Sequence, residues 1–287
     1  MKLFKVKNER VKAIVYLIIA SILWSTAGIL IKMVDWNPIA IAGTRSFIAA
    51  FVILAYVKKP KITMSKAQIG GALAYAAAVI LFVSGNKLTT SANAIILHYT
   101  APIFVALLSA WILKENIFWY DWLTIVCVFG GMLLFFIDGL KTGNLFGDVL
   151  ATLSGLFLAF VTIALRFQKD ESPVETALLG NIITFIIALP FILRSMPDGR
   201  SMVGLVLLGV FQLGIAYIFF ALSLKNISAL EGILITVVEP ILNPIWVFLF
   251  AKELPSLSAV IGGFFVLSAV TVRSVYVSKK IDSTSNI

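Results

Sequence analysis

The sequence predicts an all-α polytopic membrane protein, with ten transmembrane helices arranged as two inverted five-helix repeats. Three observations predict it: the composition, the spacing of apolar windows and an internal repeat. Of 287 residues, 60% are hydrophobic and only 13% are charged, against roughly 25% charged in an ordinary soluble domain. Mean hydropathy is +1.03. A soluble fold of this size would lack the polar surface to cover itself.

A helix needs about 20 apolar residues to cross a hydrocarbon core of ~30 Å, and windows of that length are expected at ten places. A basic tail, 1–12, precedes the first window, 13–33. Its flank resembles a signal peptide, but the apolar run is too long and lacks a small-residue cleavage site, so a retained helix is expected. The second window, 38–57, opens on Pro38. The third, 69–85, is short and begins at Gly70-Gly71, a pair that predicts close helix contact. The fourth, 91–113, holds His98 and Pro102 and stops at Lys114. The fifth, 122–138, is again short and carries Gly130-Gly131. The sixth to eighth span 146–166, 174–193 and 203–223. The ninth, 229–251, contains Glu239 and Pro240, and the tenth, 257–276, leads into a tail at 277–287. The connections are short and polar, which leaves no room for a soluble domain. Helices are required because lipid offers no partner to an open backbone group. The two halves are therefore expected at 13–138 and 146–276.

Charge gives the orientation. The termini and even-numbered loops hold 16 of the 23 Lys and Arg residues, the opposite loops hold six, and Arg45 lies within a span. This asymmetry predicts that both termini are cytoplasmic, which an even number of spans also demands. The net charge of +9 thus reports insertion, and no motif suggests nucleic acid as a partner. Cys127 and His98 are each the sole residue of their type, so no disulfide, metal site or cofactor is expected. There is no phosphate-binding Gly-Lys-Ser/Thr loop and no nucleophile set. ATP hydrolysis and enzyme activity are not expected.

Sliding the chain by 138 places Gly71 on Gly209, Phe82 on Phe220, Lys87 on Lys225, Pro102-Ile103 on Pro240-Ile241 and Lys114-Glu115 on Lys252-Glu253. Five spans are an odd number, so the second copy enters the membrane inverted. Inverted repeats are the mark of secondary transporters, with the substrate near the midplane where the halves meet.

The tract Ile95-Ile96-Leu97-His98-Tyr99-Thr100-Ala101-Pro102-Ile103, closing at Glu115, resembles the fourth helix of EamA-type members of the drug/metabolite transporter superfamily. Val238-Glu239-Pro240-Ile241 through Lys252-Glu253 resembles their ninth helix, and Ser21-Ile22-Leu23-Trp24-Ser25 their first. The resemblance covers essentially the whole chain. It implies a central cavity lined by the first, third, fourth, sixth, eighth and ninth helices, and a bacterial inner-membrane location. Such proteins move amino acids, other metabolites, nucleotide sugars or drugs.

Glu239 is the sharpest candidate, because a charge at mid-bilayer costs about 2.5–3.5 kcal/mol on insertion scales and is retained for a reason. It is a candidate proton carrier or cation partner; the other reading is a protonated acid bonded to a carbonyl freed by Pro240. His98 suits a proton relay or a structural hydrogen bond. Tyr99 projects about 100° away from it, so one of the two at most is expected to face the cavity squarely. Glu231 reads as part of a capping box with Ser228. Arg45 suits a substrate carboxylate or phosphate, or snorkelling, or pairing with Asp35, the reading the sequence favours. Trp24, Tyr75, Tyr99 and Tyr217 are candidate stacking faces, and Asn243 is a candidate polar contact. Pro102, Pro240 and Pro244 are expected to kink the fourth and ninth helices where gates rock. The expected activity is export of amino acids, amines or drugs by alternating access, with a coupling proton, in a monomer or homodimer within the bilayer. A membrane-embedded enzyme or lipid-handling protein, and a channel, are the alternatives.

Overall fold

Nine of the ten apolar windows become helices of membrane-crossing length, and the ninth window is mostly helical as far as it is described. The computed structural model describes residues 2–140, 144–242 and 256–284, and among these there is no strand. Nine helices are long and apolar enough to cross a membrane among the described residues: α1 (Asn8–Met33), α2 (Pro38–Val57), α3 (Lys66–Leu88), α4 (Ser91–Leu113), α5 (Trp119–Phe136), α6 (Leu145–Phe167), α7 (Pro173–Ile192), α8 (Gly199–Ser223) and α10 (Leu257–Lys280). Between the last two lies α9, which runs over Ala229–Thr236 and continues over 238–242. The remainder of the ninth predicted window, with Asn243 and Pro244, lies outside the described residues.

Local chemistry moves several predicted boundaries. The third window, expected at 69–85, extends to Lys66–Leu88 because the Ser65 hydroxyl caps the Gln68 amide at 3.2 Å. The fifth starts at Trp119 rather than 122, since the Asp121 carboxylate accepts the Phe118 amide at 2.8 Å and closes a first turn. Asn144 caps α6 through the Phe146 amide at 2.9 Å.

Three of the membrane helices are broken. α1 is interrupted at Ser25-Thr26, between Lys2–Trp24 and Ala27–Met33. α4 breaks at Tyr99-Thr100, just before Pro102, and α9 breaks at Val237, just before Pro240. A proline cannot donate to the carbonyl four residues back. Here those carbonyls belong to His98 and Thr236, so the breaks fall where the missing hydrogen bonds predict. α8 is not broken but widens into a π-helical segment over Leu208–Ile215.

The strongest packing pairs are α3 on α6, α2 on α7, α5 on α10 and α1 on α8. One member of each predicted glycine pair makes the close contact. A Cβ on Gly71 would fall 2.7 Å from that of Ala164, and one on Gly131 would fall 3.0 Å from the Gly262 carbonyl, whereas Gly70 and Gly130 face open space. Adjacent residues on a helix point about 100° apart, so only one of each pair can meet the neighbour.

The ion pairs gather at one end of the bundle. Arg10 meets Glu231 at 2.5 Å, Arg166 meets Glu115 at 2.9 Å and Arg273 meets Asp121 at 2.7 Å. Glu115 also accepts the Ala229 amide at 3.0 Å. Arg166 donates to the carbonyls of Leu224 and Lys225 at 2.9 and 3.2 Å. Ser228 does cap the Glu231 amide at 3.2 Å, but the expected reciprocal bond is replaced, because the Glu231 side chain is drawn to Arg10. At the other end Lys32 and Lys87 donate to the carbonyls of Asn86 and Val34 at 2.7 and 2.6 Å.

Candidate functional site

The breaks in α4 and α9 lie side by side and open onto a cavity of about 40 Å³, room for a few water molecules. Its walls come from α1, α2, α3, α4, α6, α8 and α9. At its centre Tyr99 joins the two broken helices. The Tyr99 hydroxyl is hydrogen-bonded to Glu239 Oε2 and lies 3.1 Å from the Thr236 carbonyl oxygen. That carbonyl is the one Pro240 leaves without an amide. Its partner is therefore the tyrosine, not the Glu239 side chain that the sequence offered. The matching carbonyl in α4, that of His98, is met differently. Gly155 of α6 packs so closely that a Cβ there would lie 2.4 Å from the oxygen.

His98 also lines the cavity. Its Nδ1 is 2.7 Å from Ser154 Oγ, while the Ser154 hydroxyl donates to the Ala151 carbonyl at 2.6 Å. Committing that hydroxyl proton to the carbonyl assigns the hydrogen to Nδ1 as donor and leaves Nε2 as an acceptor. The expectation that only one of His98 and Tyr99 faces the cavity does not hold. The chain leaves helical geometry at Tyr99, the two rings are 5.8 Å apart and nearly perpendicular, and both line the space.

Arg45 corrects a second expectation. It is 1% exposed and does not pair with Asp35; among the described residues no carboxylate lies within 4 Å of it. Nη1 donates to Gln212 Oε1 at 2.9 Å, and Nε has no partner among the described residues. Asp35 is exposed, and only its backbone amide reaches α8, donating to the Ser201 hydroxyl at 3.0 Å.

Trp24 and Tyr217 line the cavity with ring centroids 5.1 Å apart. Tyr75 is not a lining residue. It is fully buried behind Tyr217 at 4.6 Å, and its hydroxyl accepts from Asn181 at 2.9 Å. Phe82, its ring tilted 50° to that of His98 at 4.6 Å, and Leu158 also line the wall and were not singled out as site residues from the sequence. Nothing in an apolar span marks one Phe or Leu above another. Gln212 was legible as a polar residue in mid-span. Its π-helical setting, with Gly209 and Gly214 nearby, was not.

The comparisons place this geometry among known proteins. A model of the "EamA-like transporter family" matches residues 11–137 and 145–275. The chain is 26% identical over 272 residues to the uncharacterized transporter YdfC of Bacillus subtilis (strain 168), covering 90% of this chain and 89% of that protein. It is 25% identical over 201 residues to an S-adenosylmethionine uptake transporter of Rickettsia prowazekii (strain Madrid E), covering 68% of this chain and 67% of that one. A crystal structure sharing 18% identity superposes with a TM-score of 0.77, over 93% of this chain and 98% of the other, and shows the same fold. A multi-pass membrane protein whose two matched segments together cover nearly all of its helices, this chain belongs to the EamA-like transporter family.

Proposed function

We propose that the protein is a secondary transporter that moves small organic metabolites, of the amino acid, amine or drug type, across a bacterial inner membrane by alternating access. Export is the proposed direction, a proton on Glu239 is the proposed coupling ion, and both termini are cytoplasmic. The observation that carries the reading is the buried cavity where α4 and α9 break together, with an intramembrane carboxylate bonded across them. Such breaks at membrane depth are tolerated where they line a cavity, and in carriers they hold substrate and ion.

Several findings support ten spans in two inverted fives, at 13–138 and 146–276. The family model matches two segments with nearly these bounds. The helix breaks at Tyr99 and Val237 stand 138 residues apart, the offset of the repeat. Exchanging the halves converts the α3–α6 contact into α8–α1 and maps the α2–α7 and α5–α10 contacts onto themselves. The S-adenosylmethionine uptake named for the Rickettsia relative supports a charged metabolite as cargo.

Tyr99 lets both protonation states of Glu239 be satisfied. An ionised Glu239 accepts the Tyr99 hydroxyl proton. A protonated Glu239 donates to the Tyr99 oxygen, and the tyrosine hydrogen turns to the Thr236 carbonyl that Pro240 left open. Protonation thus shifts one hydrogen bond from a side chain on α9 to the backbone at its break. The purified protein in vesicles is expected to carry labelled amino acids or amines with saturating kinetics, driven by a pH gradient. Flux that fails to saturate would indicate a channel, a chemically altered product would indicate an enzyme, and either result overturns the reading.

A further inference from the structure

One side of the cavity is rich in hydrogen-bond donors, with the Gln212 oxygen accepting from only one of them. Arg45, Gln212 and Trp24 come from α2, α8 and α1, and both α2 and α1 pack on α8. Arg45 is 1% exposed, Gln212 6% and Trp24 5%. Arg45 Nε and Trp24 Nε1 are buried without a hydrogen-bond partner among the described residues. Gln212 spends its Oε1 on Arg45, which leaves its amide hydrogens as donors. An uncompensated buried guanidinium costs several kcal/mol, and a protein that needed only packing would place an apolar side chain there. Across the cavity, on α4 and α9, lie the acceptors Glu239 and His98 Nε2. The two formal charges line one small space without meeting, since no ion pair joins Arg45 to Glu239 within 4 Å among the described residues.

We infer that the cavity is a receptor for a small zwitterion, with a single carboxylate held by Arg45, Gln212 and Trp24 and a cationic group turned to Glu239. One guanidinium balances one negative charge. A dianionic phosphate would leave surplus charge opposite an ionised Glu239, so a monoanionic carboxylate fits better. Arg45 presents a planar fork suited to a carboxylate's two oxygens, and the Gln212 bond fixes one arm of that fork. The present space is too small for such a molecule, so entry requires the Trp24 and Tyr217 rings to part as the halves rock.

The assignment rests on the transporter reading, but its test separates the two. Binding of a panel of free L-amino acids and their methyl esters to the detergent-purified protein is measured by thermal shift and tryptophan fluorescence, alongside counterflow in vesicles. At least one free amino acid is expected to bind, with its ester weaker by tenfold or more. Arg45→Gln is expected to lose that acid-over-ester preference, and Arg45→Lys to retain part of it. Equal binding of acid and ester by the wild-type protein, or no binding by any member of the panel, overturns the assignment without any variant having to fold. Saturable flux of a solute that lacks a carboxylate, unaffected by Arg45→Gln, overturns it while leaving the transporter reading intact. Carboxylate-dependent binding without flux would uphold the site and sink transport.

Discussion

At the scale of single residues, the site is built on one tyrosine. Tyr99 joins Glu239 to the carbonyl that Pro240 exposes, so it links a buried carboxyl group to a helix break. Tyr99→Phe keeps the ring and removes the hydroxyl. It is expected to lower proton-driven flux about tenfold, the equivalent of roughly 1.4 kcal/mol for one hydrogen bond to a charged group, while leaving the protein folded. Unchanged flux in vesicles, with unchanged pH dependence, would remove the tyrosine from the coupling step. Glu239 was legible in the sequence because a carboxylate in an apolar span is costly and conspicuous. Tyr99 was legible as a ring, but its hydroxyl was not, because the residue leaves helical geometry and the angular rule for neighbours fails there. Arg45 was visible too, yet its partner was misread. Asp35 was the nearest carboxylate along the chain, whereas Gln212, 167 positions away, is the residue the packing of α2 on α8 delivers.

At the scale of elements, the prolines foretold where α4 and α9 break, and the glycines foretold contacts without saying which of two neighbours makes them. That distinction is directly measurable. Gly131→Ala puts a methyl against the Gly262 backbone and is expected to destabilise the protein by about 1–3 kcal/mol, as overpacking does. Gly130→Ala, one residue away, meets nothing within 4 Å and is expected to be neutral or mildly stabilising. Denaturant titration of helicity in detergent reads both, and equal effects would contradict the α5–α10 packing described. The π-helical segment of α8, which carries Gln212 toward Arg45, has no periodic signature in an apolar window and could not be read in advance.

At the scale of the whole molecule, the basic residues do two jobs. Their asymmetry between loops predicts orientation, and the structure shows that the ion pairs collect at the end richer in them. These pairs tie α1 to α9, the segment just after α4 to α6, and α5 to α10. Arg10→Gln leaves Glu231 buried without its cation and is expected to cost about 3 kcal/mol or more. The double variant Arg10→Gln with Glu231→Gln should recover much of that loss in thermal stability. Additive losses would show that the pair is not coupled. Membrane class and most helix positions were legible from composition and spacing, and the family from its resemblance in the tracts around His98-Tyr99 and Glu239-Pro240. The cavity was legible only in part, because its walls are drawn from seven helices whose apolar residues look alike along the chain.

The central claim is that a proton on Glu239 drives movement of cargo through the cavity between the halves. Vesicles containing wild-type protein or Glu239→Gln, loaded with a transported amino acid or amine, test it most directly. The wild-type protein should show net flux that follows an imposed pH gradient. Glu239→Gln should fold normally and lose that gradient-driven flux, whether or not exchange without a gradient persists. A Glu239→Gln protein that matches the wild-type rate and pH dependence would contradict the claim.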